Sequence, residues 1–381
     1  MLTAQLEIDK FGRNGVESRR QPARSFVKNF INFLYTAFAQ ANYDMTDIDG
    51  FTRNVKYLPG ELTGANLAIV PPSGNRPSVP IECIGIQVGS SDTAVTPLDY
   101  DLGERVHHVD RTPETTNAVM EAFQWSKTIG SSSVYGSNWK AAPFFVPWAV
   151  NVYSCKLRVV RSGTLTAKGP LTVGLRRCGV DGKPTGSDLI SGSVDGTTLQ
   201  GLPTALPGTL LEVTFDSQYV VRPYTKYALV MRLPNGDGSN YVSVTHSNES
   251  YNRPQHKRGL CAGLSSTDGG TSWSSFLNYN QIYFQVLGRR PNGLCYHGTM
   301  LRELIKPVSP PPDMEFTIEA LFSNYCGTGV TVKEIGIYAT GSTDTNFEAF
   351  SFLVARDVLT SPITVAANEI LRVRYIVQIT V

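Results

Sequence analysis

Charged residues are scarce in this sequence. They make up 17% of the chain, against about 25% in a typical soluble domain, and the net charge is only +2. Lysine and arginine are spread along most of the chain instead of forming one large patch, so binding to nucleic acid by counterion release has little support. A chain of this kind is better suited to association with protein surfaces.

Long apolar runs are also missing. No stretch approaches the roughly 20 apolar residues that a membrane-spanning helix needs, so we expect no membrane insertion. The start of the chain has neither the basic segment nor the apolar core of a secretory signal peptide. We therefore expect the protein to be synthesised and folded in a cytoplasm.

The sequence lacks the common signatures of catalysis and of metal binding. It contains no HExxH zinc motif, no GxSxG nucleophile elbow and no phosphate-binding loop. Its acidic turn residues do not follow the spacing of an EF-hand. We therefore predict no enzymatic activity, no cofactor and no metal site, while a calcium ion in a loop of the central region is left open.

The cysteines show neither a CxxC pair nor a Cys/His cluster with metal-ligand spacing. In a reducing cytoplasm free thiols are the expected state. A disulfide between Cys155 and Cys178, on neighbouring strands, is the less favoured alternative. The six cysteines are Cys83, Cys155, Cys178, Cys261, Cys295 and Cys326.

Turn-forming and aromatic residues are abundant instead. The chain has 34 Gly, 23 Pro, 17 Tyr and 17 Phe, and short segments with alternating apolar residues recur between turns. This combination is typical of antiparallel β-sandwiches. A length of 381 residues suggests more than one domain.

The sequence ends on a strongly alternating strand. One face is apolar and the other carries Arg372, Arg374 and Gln378, with Ile376 as the exception. A free tail is normally polar, so we expect this strand to be clamped between neighbours, in its own domain or in a partner subunit. The apolar face comprises Leu371, Val373, Tyr375, Val377, Ile379 and Val381.

Three segments carry a resemblance to a known family. Residues 332–339 read VKEIGIYA, residues 355–381 contain ARDVL, SPITV and LRVRYIVQITV, and residues 84–103 read IGIQVGSSDTAVTPLDYDLG. Together they resemble a small β-domain of virion structural proteins of tailed bacteriophages. The resemblance implies one β-domain whose two parts lie far apart in the sequence.

The region between these parts has a different character. Residues 171–175, 182–186, 210–215 and 224–230 read LTVGL, GKPTG, LLEVTF and YTKYALV. They resemble choice-of-anchor and galactose-binding-like modules, which recur in phage and bacterial surface proteins. The resemblance implies an inserted jelly-roll and is a weak guide to its ligand.

The predicted fold is therefore mainly β. A split antiparallel β-sandwich, residues 49–122 plus 290–381, would form a docking domain, and an inserted jelly-roll sandwich would occupy residues 123–289. Residues 1–48 would form an N-terminal arm and an amphipathic helix. The arm lacks sustained apolar periodicity, so it is expected to be a disordered tail or a segment that lies on a neighbouring subunit.

A stripe of apolar residues marks the predicted helix. Phe26, Phe30, Leu34 and Phe38 recur at every fourth position, which is the spacing of one helix face. An ordinary core face is the favoured interpretation of such a stripe. Because the rest of the chain is predicted as sheet, the alternative is a subunit interface through which the protein self-associates.

Two further patterns lie in the predicted jelly-roll. Residues 266–273 read STDGGTSW, the Asp-box pattern of a tight β-hairpin. Only one copy is present, so we favour a structural hairpin over a repeat-based propeller. Exposed aromatic residues could stack on the sugar rings of a host-surface glycan, although core or interface positions are more common for them. The candidates are Trp139, Tyr241, Tyr251 and Trp273.

The family resemblance implies a non-enzymatic structural protein of a tailed-phage virion, made in the cytoplasm of the host bacterium. It would assemble as a symmetric homo-oligomer at the neck, tail or capsid surface, in contact with portal, neck, tail or capsid proteins, with the jelly-roll outward. The alternative is a carbohydrate-binding adhesin or the receptor-binding module of a fibre. A glycosidase would need a pair of carboxylates in a cleft, and no pair can be assigned from the sequence.

Overall fold

The fold is mainly β, as the sequence predicts. The chain divides into two compact units: unit 1 comprises Met1–Pro113 and Pro291–Val381, and unit 2 comprises Glu114–Arg290. The sequence predicts these two domain boundaries between residues 122 and 123 and between residues 289 and 290. The computed structural model describes residues 2–23, 26–39, 41–55, 83–110, 116–123, 129–146, 148–179, 181–223, 225–247, 262–275, 281–307, 314–342 and 349–379.

The regular secondary structure of the described residues consists of strands and two helices. Before the insertion, unit 1 contains β1 (Leu2–Gly12), β2 (Gly15–Ala23), α1 (Lys28–Ala39), β3 (Tyr43–Thr46), β4 (Thr52–Val55), β5 (Gly85–Gly89) and β6 (His107–His108). Unit 2 contains β7 (Ala118–Phe123), β8 (Ile129–Val134), β9 (Trp139–Phe144), β10 (Val150–Ser162), β11 (Leu171–Arg177), β12 (Ile190–Val194), α2 (Gly196–Gln200), β13 (Thr209–Val221), β14 (Tyr227–Arg232), β15 (Tyr241–Ser247), β16 (Leu264–Ser266), β17 (Ser274–Ser275) and β18 (Phe284–Arg289). Unit 1 then continues with β19 (Gly293–Pro307), β20 (Met314–Ser323), β21 (Val330–Ser342), β22 (Ala349–Val365) and β23 (Ile370–Ile379).

Two main sheets form unit 1. One has six strands in the order β2-β1-β23-β20-β19-β6, and the other has three strands in the order β22-β21-β5. Neighbouring strands are antiparallel except for the parallel pair of β19 and β6. Apolar side chains of both sheets share one core, which includes Leu6, Ile86, Phe322, Phe352 and Val373. β3 and β4 form a separate small hairpin.

Residues 2–23, which the sequence predicts as an arm, form a β-hairpin of β1 and β2. β1 also pairs along its length with β23, so the hairpin is part of the six-stranded sheet. Leu6 and Ile8 point into the core, and they alternate with the buried acids Glu7 and Asp9. Apolar residues alternate only from Leu2 to Ile8, and β2 is mostly polar. The alternation is therefore too short to predict a hairpin, which is why the sequence suggests an unstructured segment.

β23 lies between β1 and β20, so the prediction of a clamped strand is confirmed and both neighbours belong to the same unit. Its polar face meets the acids of β1. Arg372 Nε donates to the carboxylate of Asp9 at 3.0 Å, and Arg374 donates to both Glu7 and Asp9. The buried face of the strand includes Leu371, Val373 and Tyr375.

A buried ion pair ties residues 90–105 to the three-stranded sheet. Glu334 of β21 is 0% exposed, and Arg356 Nε of β22 donates to its carboxylate at 2.7 Å. The same carboxylate accepts the backbone N–H groups of Ser91, Gly103 and Glu104 at 3.3, 3.1 and 2.9 Å. The guanidinium and the three backbone donors together compensate the desolvation of the carboxylate.

Arg356 extends this network to the middle of the same loop. It donates to the carboxylate of Asp99 at 2.6 Å and to the carbonyl of Thr93 at 2.9 Å. The network therefore joins the three segments that carry the family resemblance, residues 84–103, 332–339 and 355–359. Segments that are distant in the sequence are held together by one set of polar contacts.

Unit 2 is a sandwich of two six-stranded sheets. One has the order β7-β18-β10-β15-β8, with β13 also paired to β10, and the other has the order β12-β11-β14-β9-β16-β17. Buried side chains of both sheets form its core, among them Val152, Leu157, Val173, Leu229 and Val244. This is an architecture of the β-sandwich and jelly-roll type that the sequence predicts.

Removal of the Glu334 carboxylate should destabilise unit 1. In Glu334→Ala the buried Arg356 loses one carboxylate partner and three backbone N–H groups lose their acceptor, so we expect the free energy of unfolding to fall by about 3–5 kcal/mol. The measurement is urea denaturation followed by far-ultraviolet circular dichroism, because all four tryptophans of the chain lie in unit 2 and their fluorescence would not report on unit 1. The control is Glu17→Ala, because Glu17 forms solvent-accessible ion pairs and should change stability by less than about 1 kcal/mol. Equal losses in the two variants would contradict the role given to Glu334.

Candidate functional site

Helix α1 packs on unit 1 through a mostly polar face. Phe33 meets Phe352 of β22 edge to face, with the ring centroids 5.6 Å apart. Asn29 and Thr36 are buried on the same side of the helix. Asn29 Nδ2 donates to the carbonyl of Thr46 in β3 at 2.8 Å. Because these polar groups are satisfied locally, they can lie against the core without a large desolvation cost.

The opposite side of α1 is apolar and exposed. Phe38 is 84% exposed, Ile31 60% and Tyr35 52%. Tyr35 does not belong to the predicted stripe, although it follows Ile31 by one step of four residues. We call this surface the aromatic face of α1. It comprises the exposed residues Phe26, just before the helix, Ile31, Leu34, Tyr35 and Phe38, together with the half-buried Phe30 at its border with the core. A contiguous exposed apolar surface is typical of a site of protein association.

The structure brings the four predicted interface residues together on this face. Phe26 and Phe30 stack with their ring centroids 4.2 Å apart, and Leu34 is 39% exposed. The stripe is divided between the two interpretations: Phe30 is half-buried and packs against the core of unit 1, as Phe33 does, whereas Leu34 and Phe38 are exposed. The subunit interface stays a prediction, and this face is the main candidate site of unit 1.

The Asp-box residues form a hairpin of β16 and β17, as the pattern predicts. The carboxylate of Asp268 accepts the hydroxyl of Ser266 at 2.7 Å and the backbone N–H of Ser272 at 2.9 Å. Gly270 has a φ of 86°, and a Cβ at this position would lie 2.7 Å from the ring of Trp139. These contacts lie within the hairpin and between the hairpin and Trp139, and they explain the motif as a structural element.

The aromatic candidates for glycan binding are only partly accessible. Trp273 is 7% exposed and packs beneath the hairpin. Trp139 is half-buried, with two arginine side chains over its ring at 5.4 and 5.6 Å from the centroid. The structure brings Trp139 and Trp273 together. Tyr241 is half-buried in β15, which belongs to the other sheet of unit 2. Tyr251 lies outside the described residues. Glycan contact through these residues stays a prediction.

Lys140 of β9 is an unusual buried cation. It is 5% exposed, and its ammonium donates to Asn138 Oδ1 and, at 2.9 Å, to Ser265 Oγ. No carboxylate forms an ion pair with it among the residues that the structure describes. Burial lowers the pKa of Lys140 from 10.5 to about 8, because the charged form loses its hydration without gaining an opposite charge.

The described cysteines are free and buried, as the sequence predicts. Burial raises the pKa of Cys155, so its thiol stays protonated and unreactive. Cys261 lies outside the described residues. Within the described ranges, no group of three or more His, Cys, Asp or Glu side chains is arranged to hold a metal ion. No helix of the same ranges is both long and apolar enough to span a membrane.

Comparisons with known proteins give little further information. No protein-family model and no curated protein matches the chain. Among solved structures, a structure of the infectious bursal disease virus Gt strain is similar at 11% sequence identity and a TM-score of 0.19. The similarity covers 99% of this chain and 64% of the viral chain. A TM-score this low supports no argument about fold or function.

The lowered pKa of Lys140 should make stability depend on pH. Between about pH 8 and pH 10.5 the unfolded chain binds more protons at this residue than the folded chain, so stability rises with pH in this window. We expect a gain of about 2 kcal/mol in the free energy of unfolding between pH 7 and pH 9.5. Denaturant titrations of the wild type and of Lys140→Met measure it.

The lysine variant should lack this pH-dependent gain and should be more stable than the wild type at neutral pH. The control is Lys183→Met, which removes a more exposed lysine paired with Asp181 in the same unit and should keep the gain. A wild-type profile that is flat up to about pH 9.5 would contradict the burial argument.

Proposed function

We propose that this chain is a non-enzymatic structural component of a tailed-phage virion. Unit 1 would assemble into a symmetric homo-oligomer and dock onto portal, neck, tail or capsid proteins, while unit 2 would be displayed on the particle. The sequence resemblance of residues 84–103 and 332–381 supports the class of protein. The exposed aromatic face of α1 is the structural observation that carries the proposal of assembly.

The aromatic face is suited to burial in an interface. Side chains of this size gain about 1.5–3 kcal/mol each when they pass from water into a fully packed contact. Lys28 is the one charged residue within α1, so little charge has to be desolvated when the face is covered. A second copy of this chain would present the same uncharged surface, and most soluble oligomers repeat one patch by symmetry.

The connections of unit 2 also support the proposal. The chain leaves unit 1 after β6 and returns at β19, and these strands are parallel neighbours in which His107 pairs with Gly293. The two ends of the insertion therefore start from adjacent points of one sheet. A domain inserted in this way can be added without disturbing the strand pairing of the docking domain.

The alternative is a carbohydrate-binding adhesin or receptor-binding module. A polar cleft beside Tyr153 in unit 2 favours it specifically, because a glycan binder needs such a recess. Both functions are compatible in one chain if the assembled protein also contacts the host surface. They differ in the surface that they require, the aromatic face of unit 1 or the cleft of unit 2.

The native mass of the purified full chain tests the assembly proposal. We expect a discrete oligomer by light scattering after gel filtration, and a closed symmetric particle by electron microscopy. The double variant Leu34→Asp with Phe38→Asp should shift the mass to the monomer, because it places charge in the contact. The control is Val16→Asp, since Val16 is an apolar residue of unit 1, 60% exposed, outside the aromatic face.

Two results would contradict the proposal. A wild-type monomer at the highest soluble concentration would remove the support for self-assembly. If the double variant still forms the wild-type oligomer, the interface does not involve the aromatic face of α1. Circular dichroism of both variants establishes that any loss of mass does not come from unfolding.

A further inference from the structure

An irregularity in the strand pairing of unit 2 forms a recess. Val152 of β10 pairs with Tyr219 of β13, but Ser154 pairs with Thr214. Between these pairs β10 has one residue, Tyr153, while β13 has the four residues 215–218. On its other edge β10 is irregular at the same place, because consecutive residues of β18 pair with Val152 and Ser154. Bulges of this kind change the direction in which side chains point, and they are over-represented next to active sites.

The recess is a cleft of about 240 Å³. Its walls are mainly polar and include Asn117, Tyr153, Glu212, Asp216, Ser217 and Gln218. The volume is below the range of about 300–1,000 Å³ that is typical for drug-sized ligands. It is therefore suited to one small ring or a short chain.

The side chain of Tyr153 is held in place by its neighbours. Its hydroxyl accepts a hydrogen bond from Asn151 Nδ2 at 3.3 Å, and the same amide donates to Gln218 Oε1 at 2.9 Å. The guanidinium of Arg289 lies 5.0 Å from the ring centroid, and Arg289 Nε donates to Asn117 Oδ1 at 2.8 Å. A ring fixed in this way needs little ordering when a ligand binds.

Several polar groups of the cleft keep capacity for a ligand. Among the described residues, no side chain forms an ion pair or a hydrogen bond with the Asp216 carboxylate. The amide nitrogens of Asn117 and Gln218 are available as donors, because their described contacts use only the oxygen atoms.

We infer that this cleft binds a single neutral sugar residue. Each sugar hydroxyl both donates and accepts, which matches the mixture of carboxylate, amide and hydroxyl groups on the walls. The carboxylate of Asp216 disfavours an anionic ligand through like-charge repulsion, whereas that of Glu212 is paired with Lys156 at 3.3 Å. The polar walls disfavour an apolar ligand. The half-buried ring of Tyr153 supplies a surface for the C–H groups of the sugar.

Saturation-transfer NMR on the full chain tests this inference with D-glucose, D-galactose and N-acetyl-D-glucosamine as neutral probes and N-acetylneuraminic acid as the anionic probe. We expect saturable binding of at least one neutral sugar, with a Kd on the order of 1 mM. Asp216→Ala and Gln218→Ala should each weaken it at least about tenfold, a loss of about 1.4 kcal/mol. The control is Asp181→Ala, because Asp181 is an exposed acid of unit 2 outside the cleft and its loss should leave binding unchanged.

Three results would overturn the inference. They are no saturable binding of any neutral probe, tighter binding of N-acetylneuraminic acid than of the neutral sugars, and wild-type affinity in both cleft variants. The two cleft substitutions are at exposed positions of a bulge, so the fold should be retained, and proton spectra of the variants check this. The inference does not depend on self-assembly, and the native mass is not part of its test.

Discussion

The pairing of the two ends of the chain is the constraint on which unit 1 depends. β23 lies between β1 and β20, so the six-stranded sheet is complete only when the first and the last strands are both in place. The contact is apolar on one face, where Leu6 and Val373 enter the core, and ionic on the other, where Arg372 and Arg374 meet the acids of β1. Strand pairs this distant in sequence carry a loop-closure cost, and both kinds of contact contribute to offsetting it.

This closure explains how the rest of unit 1 is arranged. The three-stranded sheet covers the core from the other side, and Glu334 with Arg356 fixes the loop that follows β5. Helix α1 is then left with a peripheral position, where Phe33 and the half-buried Phe30 are apolar contacts to the core. A helix that is attached mostly through satisfied polar groups leaves its aromatic residues uncovered, and this is the origin of the candidate interface.

The sequence was sufficient for the features that depend on local patterns. Alternation predicted the two faces of β23, and the four-residue spacing found Phe26, Phe30, Leu34 and Phe38. It did not show which side of α1 meets the core, because the buried side carries polar residues. The Asn29 amide is satisfied by Thr46 of β3, and the Thr36 hydroxyl by the Asn32 carbonyl of the preceding helical turn. The hairpin of β1 and β2 was missed for a related reason, since its main partner lies at the other end of the chain.

The cleft beside Tyr153 lies beyond sequence reasoning, because it arises from an offset between two strands and not from a motif. The small size of the cleft nevertheless connects it to the proposed assembly. A recess for a single sugar gives weak affinity on its own, since a small ligand offers few contacts. If unit 1 forms a symmetric oligomer, several copies of the cleft are held on one particle, and multivalent contact with a glycan-covered surface strengthens weak single sites by orders of magnitude. The aromatic face and the cleft, although they lie in different units, would then serve one physical purpose, because the first would supply the number of sites that the second requires.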